Sequence, residues 1–290
     1  MSVRRFIKGA DDSAWSSLAG IELAEFKRSL LDPEFSDEGM LVGEVDGRTA
    51  GIVNAHISPT HPSFCVLRDF KVKEEHWEAL APLLLDSALD SFTIRNAHSV
   101  EAVFPETEKR HISLLQNNGF KTTSTDCEIR HDLRTIPAAG NLEIRIAQYS
   151  DVKNPELVVN LQNEIFRRPT GRPVTKEELL YWMKDPGFEC FTAFSNGSAG
   201  ASSFCEIKQV EGEKHGWIYG LGVLPAFRRK KIGTALLAAI LNYLKARRTN
   251  VVFLETDYGS YAQRFYESAG FQVDSRLVCL RKDLFPQTQE

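Results

Sequence analysis

Residues 223–237 read VLPAFRRKKIGTALL, and this stretch decides the fold. An apolar strand ends at Val223, Pro225 sets a turn, and basic and small residues lead straight into an Ala/Leu-rich helix. A helix start leaves its first N–H groups without intrahelical acceptors and carries the positive end of the helix dipole. Arg228, Arg229, Lys230 and Lys231 surround that start, Ile232 and Thr234 enter the helix, and Gly233 lets a ligand approach the backbone closely. Together these features make an anion site, and a pyrophosphate is its natural guest.

Working outward, residues 230–247 are helical by composition and by apolar spacing at Ile232, Leu236, Ile240 and Leu244. VVFLET (251–256) reads as a buried strand, residues 260–270 as a helix stopped by Gly270, and the chain after Phe271 as a long last strand. Upstream, LEIRIA (142–147) is a strand, and residues 155–166 and 175–183 are two amphipathic helices. Residues 188–194, 201–210 and 216–223 then read as three strands. The order βααβββαβαβ predicts an α/β domain on a mixed sheet.

The same order is written twice. LLQNNGFKTTSTDCEIRHDL (114–133) parallels FYESAGFQVDSRLVCLRKDL (265–284). Gly119 and Gly270, Asp132 and Asp283, and Val72 and Val223 all stand 151 residues apart. Two similar domains in tandem are expected, 1–137 and 141–290, divided near Thr135–Asn141 where TIPAAGN collects Pro, Gly and small residues.

Residues 223–237 resemble the pyrophosphate motif of the GNAT superfamily of N-acetyltransferases, Q/R-x-x-G-x-G/A preceded by V-x-P. The match falls at Val223, Pro225, Arg228 and Gly233, followed by Leu236 and Leu237; Lys231 stands where the first Gly is usual. A second signature, A-x-x-x-Y-x-x-x-G-F, is met by Ala262, Tyr266, Gly270 and Phe271, with Gly259 where an Asn is often found. The resemblance covers nearly all of the second half. Mycothiol synthase-like proteins offer a precedent for the tandem arrangement with one working copy.

The resemblance implies two tandem GNAT-like domains, each a mixed, mainly antiparallel sheet flanked by helices. It implies acetyl-CoA as acyl donor, held by Leu221, Val223, Arg228, Arg229, Lys230, Lys231, Ile232, Gly233 and Thr234. It implies direct transfer to an amine, on a small molecule or a peptide N-terminus, with Tyr266 as general acid for the departing thiolate. The oxyanion would rest on a backbone N–H in Leu221–Val223. Glu255, in the apolar strand VVFLETD, is the candidate base; Glu206 follows, then His215 and Tyr219.

Each assignment has a plainer counterpart. Tyr266 also reads as a packing residue, strand parity could turn Glu255 outward, and Arg229 and Lys230 read singly as a solvated face. Arg167, Arg168 and Arg172, in the loop 166–173, suit either an anionic acceptor or solvent. A non-catalytic acyl-CoA-binding or interaction protein is the alternative from another class, and a transferase of longer acyl groups the alternative within this one.

The first copy lacks the working residues. The offset of 151 sets Trp77 at Arg228, Leu80 at Lys231, Pro82 at Gly233, Phe104 at Glu255 and Leu115 at Tyr266. Acidic residues stand where phosphate would sit, so this copy is expected not to bind acetyl-CoA in the family's usual way.

The totals fit such a protein: 290 residues, 42% hydrophobic, 26% charged and a formal net charge of −4, which gives no reason to expect a nucleic-acid or membrane partner. With neither a signal-peptide-length apolar run nor a membrane span in the sequence, a cytoplasmic protein is expected. Five scattered cysteines without CxxC spacing read as buried thiols, and seven histidines without paired spacing support no metal site. Oligomeric state is not readable.

Overall fold

The computed structural model describes residues 1–32, 35–59, 61–138, 144–167, 173–210 and 212–285. The first half runs β1 (Ser2–Arg5), α1 (Asp12–Ala19), α2 (Leu23–Ser29), β2 (Met40–Val45), β3 (Arg48–Ile57) and β4 (Cys65–Val72). A 3₁₀ turn (Glu74–His76), α3 (Trp77–Ile94), β5 (Ser99–Pro105), α4 (Lys109–Asn117) and β6 (Lys121–His131) follow. The second half repeats it with one added short helix: β7 (Ile144–Gln148), α5 (Tyr149–Val152), α6 (Pro155–Ile165), α7 (Lys176–Trp182), β8 (Glu189–Ser195), β9 (Ser198–Val210) and β10 (Glu213–Val223). Then come a 3₁₀ turn (Pro225–Phe227), α8 (Ile232–Ala246), β11 (Val251–Asp257), α9 (Tyr261–Ser268) and β12 (Gln272–Asp283).

Local chemistry explains many of the boundaries. Asn154 caps α6 with Pro155 at its first position, and Thr175 and Glu178 form a capping box on α7. Asp46-Gly47 and Asn196-Gly197 turn the β2–β3 and β8–β9 hairpins with positive φ at both residues, the signature of type I′.

The chain divides into two compact units, Met1–Ser124 with Val278–Glu290, and Thr125–Leu277. The strand order is β1-β2-β3-β4-β5-β12 in unit 1 and β6-β11-β10-β9-β8-β7 in unit 2. Within unit 2 only β10 and β11 run parallel, and within unit 1 β4 and β5 do so; the mixed, mainly antiparallel sheet is as expected. The cut read from the sequence, 137/141, is therefore not where the compact units part, and residues 139–143 lie outside the described residues. The last strand of each half joins the sheet of the other: β6 pairs with β11 from Val252↔His131 to Asp257↔Asp126. In unit 1, Leu284 N–H donates to His98 O at 2.9 Å, tying the end of the chain beside β5. Two copies of one strand carry the same face pattern, so a sequence repeat names the strand without saying which sheet it joins.

In unit 2, alternation along the strands separates two layers. Cys205, Ile218, Val252 and Leu254 pack against α8 and α9, while Cys190 and Phe204 pack beneath α6 and α7. Four of the five cysteines are buried, and all are free thiols. Among the described residues no helix is long and apolar enough to cross a membrane.

Candidate active site

β10 and β11 share only a short stretch of register, His215↔Val251 to Trp217↔Phe253. Beyond it β10 carries a bulge between Tyr219 and Gly222, with Gly220 at φ +56°. A bulge bends its strand and strengthens the local twist. The last residues of β10 and β11 consequently run without mutual pairing among the described residues, leaving an opening between two parallel strands. Leu224 N–H donates to Gly200 O of β9 at 2.9 Å, so by strand alternation the Val223 N–H points the other way, into that opening. Arg228 turns back and donates its Nε to Val223 O at 3.0 Å.

The opening leads to the start of α8. Arg229 and Lys231 both hold positive φ (+62° and +60°), a conformation strained for residues with a Cβ. The first helical bond is Ala235 N–H to Lys231 O, which leaves the N–H groups of Ile232, Gly233 and Thr234 without helical acceptors, and no side chain caps them. A Cβ on Gly233 would stand 3.4 Å from Val223 Cγ2 and 3.7 Å from Phe265 Cζ. The end of β10, the start of α8 and the helix of Tyr266 therefore meet at this glycine. Arg228 to Lys231 are exposed, and among the described residues none of the four lies within ion-pair distance of a carboxylate; Lys230 Nζ bonds Ala226 O at 3.2 Å.

Unit 1 shows what the same architecture does without these residues. β4 and β5 also pair only briefly, at Val66↔Glu101 and Leu67↔Ala102, and Asp69 sits at the bulge with φ +50°. Here α4 closes the gap. His111 packs on Trp77 (ring centroids 4.4 Å) and stacks on Phe104 (4.9 Å), with Nε2 3.0 Å from Phe70 O. Arg110 pairs with Glu74 and Glu78 at the start of α3 and lies over the Trp77 ring. Where unit 2 presents positive charge with no ion-pair partner among the described residues, unit 1 has matched charges and aromatic rings.

Tyr266 is buried in the layer of Leu254, Phe265 and Phe271. Burial pushes its phenol up to about 12. Its hydroxyl has no hydrogen-bond partner among the described residues. Glu255 lies on the other face of β11, exposed at its tip and directly across from Glu128 of β6. Burial of the surrounding strand raises its carboxyl, with Asp126 adding to the effect; Glu128 is raised by burial, Glu255 and Asp274. Strand parity thus places Glu255 and Tyr266 on opposite sides of the sheet, able to address one reacting centre only through the opening between β10 and β11.

The other base candidates share the face of Glu255. Tyr219 donates its hydroxyl to Glu206 at 3.2 Å, and Lys208 Nζ lies 3.3 Å from the same carboxylate. His215 rests against Phe253. Arg167 is described and exposed, whereas Arg168 and Arg172 lie outside the described residues.

Three features escaped sequence reading. Glu128 comes from the first half and reaches Glu255 only because β6 joins this sheet. Gly220 and Gly222 were visible as GLG (220–222), but their role depends on α6: a Cβ would lie 1.9 Å from Gln162 Nε2 at the first and 2.2 Å from Ile165 Cγ2 at the second. Gln162 itself looked like one more polar residue on an amphipathic helix.

Residues 156–271 match the Acetyltransferase (GNAT) family. No functionally curated protein matches the chain significantly. Among solved structures, a GCN5-related N-acetyltransferase from Sphaerobacter thermophilus superposes with TM-score 0.75 at 19% identity, over 98% of this chain and 96% of that one. A tandem GNAT protein from the clavulanic acid biosynthesis pathway superposes with TM-score 0.77 at 13% identity, over 99% of this chain and all of that one. A glucosamine N-acetyltransferase region of a fungal multi-domain β-N-acetylglucosaminidase gives TM-score 0.72 at 14% identity, over 97% of this chain and 38% of that one. At these identities the structures speak for the fold. Residues 156–271 match the GNAT acetyltransferases, and the chain as a whole has the fold of the GNAT structures it superposes on.

Proposed function

We propose that unit 2 transfers an acetyl group from acetyl-CoA directly to an amine, and that the N-terminal copy binds no acyl donor. The observation that carries this reading is the opening between β10 and β11, which ends at an uncapped helix start ringed by four cations without carboxylate partners among the described residues. The residues fit a pyrophosphate: free N–H groups at Ile232, Gly233 and Thr234, the dipole of α8, and Arg228 to Lys231. Leu221 and Val223 supply backbone groups along the opening.

Acetyl-CoA, when bound, supplies the activated thioester. The chain's own residues do the rest. Glu255, raised by burial and by Asp126, takes a proton from the acceptor ammonium, directly or through water, and so exposes a nucleophilic amine. Tyr266 stays protonated at neutral pH and gives its proton to the departing thiolate. A backbone N–H at Leu221–Val223 receives the developing oxyanion. Holding amine and thioester together in the opening supplies a further share of the acceleration. The acceptor is a small-molecule amine or a peptide N-terminus.

The two sequence copies, 1–137 and 141–290, read as a duplication in which only the second kept the chemistry. In the first, His111 and Arg110 occupy the equivalent gap. A cytoplasmic setting suits the free thiols.

Isothermal titration of acetyl-CoA tests this reading. Micromolar binding to the wild type, abolished in Arg228→Glu/Gly233→Glu, places the donor at α8; no binding to the wild type overturns the proposal. A second reading, an acyl-CoA-binding protein without catalysis, is favoured by Lys231 at the usual glycine position. It predicts binding without consumption of acetyl-CoA in an amine screen, and indifference to Tyr266→Phe.

A further inference from the structure

On the reading that unit 2 binds acetyl-CoA, we propose that Gln162 is a positioning residue that aims the Leu221 N–H at the thioester oxygen. Gln162 sits on the inward face of α6 beside Val158 and Leu161 and is only 5% exposed. Its Nε2 donates to Gly220 O at 2.9 Å, and its Oε1, also buried, has no partner among the described residues. A peptide unit is planar and trans, so its C=O and the following N–H point in opposite directions. Gripping Gly220 O from the side of α6 therefore turns the Leu221 N–H away from α6. Without the grip, a left-handed glycine at a bulge leaves this peptide free to rotate.

The arrangement is built for this purpose at several positions. A Cβ at Gly220 would collide with the Gln162 amide, and a Cβ at Gly222 would collide with Ile165 and, at 2.9 Å, with Phe166. Both glycines are required by the close approach of α6, not by the bulge alone. Unit 1 demonstrates the difference: the offset of 151 puts Asp69 and Lys71 at these two places, and Asp69 keeps the positive φ. A bulge forms there with side chains present. Only the copy carrying the cofactor motif has both glycines and a buried amide against them. The half-satisfied amide is itself unfavourable, since a buried acceptor without a partner destabilises relative to an apolar group of similar shape. A leucine at 162 would fill the space without the orphaned Oε1 but would also lose the bond to Gly220 O, so what glutamine adds over leucine is the hold on this one carbonyl.

The test compares acetyl-CoA with free CoA, which lacks the thioester carbonyl. Titration calorimetry on the wild type is expected to show acetyl-CoA binding about fivefold tighter, the magnitude of one hydrogen bond. Gln162→Leu is expected to bring the two affinities together while leaving that for CoA unchanged, a split that a loss of folding stability would not produce. Should Gln162→Leu fail to fold, as judged by its thermal transition, Gly220→Ala displaces the same amide and is read in the same way. A preference for acetyl-CoA that survives in either folded variant overturns the proposal, as does a wild type that binds both ligands equally, and in these cases the cofactor reading stands. If the wild type binds neither ligand, the cofactor reading fails and this inference falls with it.

Discussion

Tyr266 and Glu255 belong to opposite faces of one sheet: the tyrosine packs with Leu254, and the glutamate, one residue along β11, faces Glu128. An acid and a base so divided do not compete for the same proton. On the proposed mechanism the proton from the amine leaves on one side, and the proton for the thiolate arrives from the other. Because the Tyr266 hydroxyl has no partner among the described residues, Tyr266→Phe is expected to leave thermal stability and the Kd for acetyl-CoA nearly unchanged while lowering kcat by about 10²–10⁴-fold. Calorimetry and steady-state kinetics on one preparation check this, and an unchanged kcat removes the acid role.

The second expectation concerns pH. Glu128 and Glu255 are like charges directly across two strands, an unfavourable pair when both are ionised. Both carboxyls are raised, so the folded state holds these protons more tightly than the unfolded chain does. Their destabilising effect is present at neutral pH, fades as the pH falls through the raised folded values, and is gone below the unfolded carboxylate value. Glu128→Gln is expected to raise the denaturation midpoint at pH 7 but not at pH 4. Asp126→Asn, which removes the neighbouring charge that raises Glu255, should move the acidic limb of kcat/KM to lower pH. Glu255→Gln should abolish that limb.

Lys231 tests the loop. It occupies a left-handed conformation that glycine adopts without strain, so Lys231→Gly exchanges backbone strain for unfolded-state entropy. The net change in stability is expected to stay within about 1 kcal/mol. A β-branched replacement, Lys231→Val, should destabilise by more than that. Acetyl-CoA should still bind to Lys231→Gly, and its affinity for the wild type should weaken with ionic strength as exposed charges are screened. Chemical denaturation and salt-dependent titration measure both.

His111 gives a pH signature for unit 1. Burial among Trp77, Phe104 and Phe70 lowers its pKa, although the Glu108 carboxylate acts the other way. The folded value lies below the unfolded one, so the stability this neutral ring contributes is present above about pH 6.5 and lost as the pH falls toward the folded value. His131, buried in unit 2, is lowered for the same first reason. The thermal midpoint is expected to drop between pH 7 and pH 5, and His111→Gln should lessen the drop.

Much of this was legible in the chain because it is local. Val223, Pro225, Arg228 and Gly233 announce a strand, a turn and a helix start within eleven residues, and the apolar spacing of α8 follows. Tyr266 is fixed by its helix and by Gly270 and Phe271 after it. What stayed hidden depends on pairing across long separations. Strand parity for Glu255 needed its neighbour, and that neighbour, Glu128, is 127 residues away. The grip of Gln162 on Gly220 joins a helix and a bulge through two missing Cβ atoms, which no periodicity encodes. The exchange of β6 and β12 escaped because two strands with one pattern are interchangeable on paper.

That exchange governs the order in which the protein can be completed. The ribosome releases β1 to β5 first, yet the strand that finishes their sheet, β12, is the last element among the described residues. Unit 1 must therefore wait, with the edge of β5 open, until the whole of unit 2 has been made. Unit 2 has no such delay, because β6 precedes everything else it needs. Unit 2 is assembled on a strand already delivered, whereas the sheet of unit 1 is closed only by a strand made after all of unit 2.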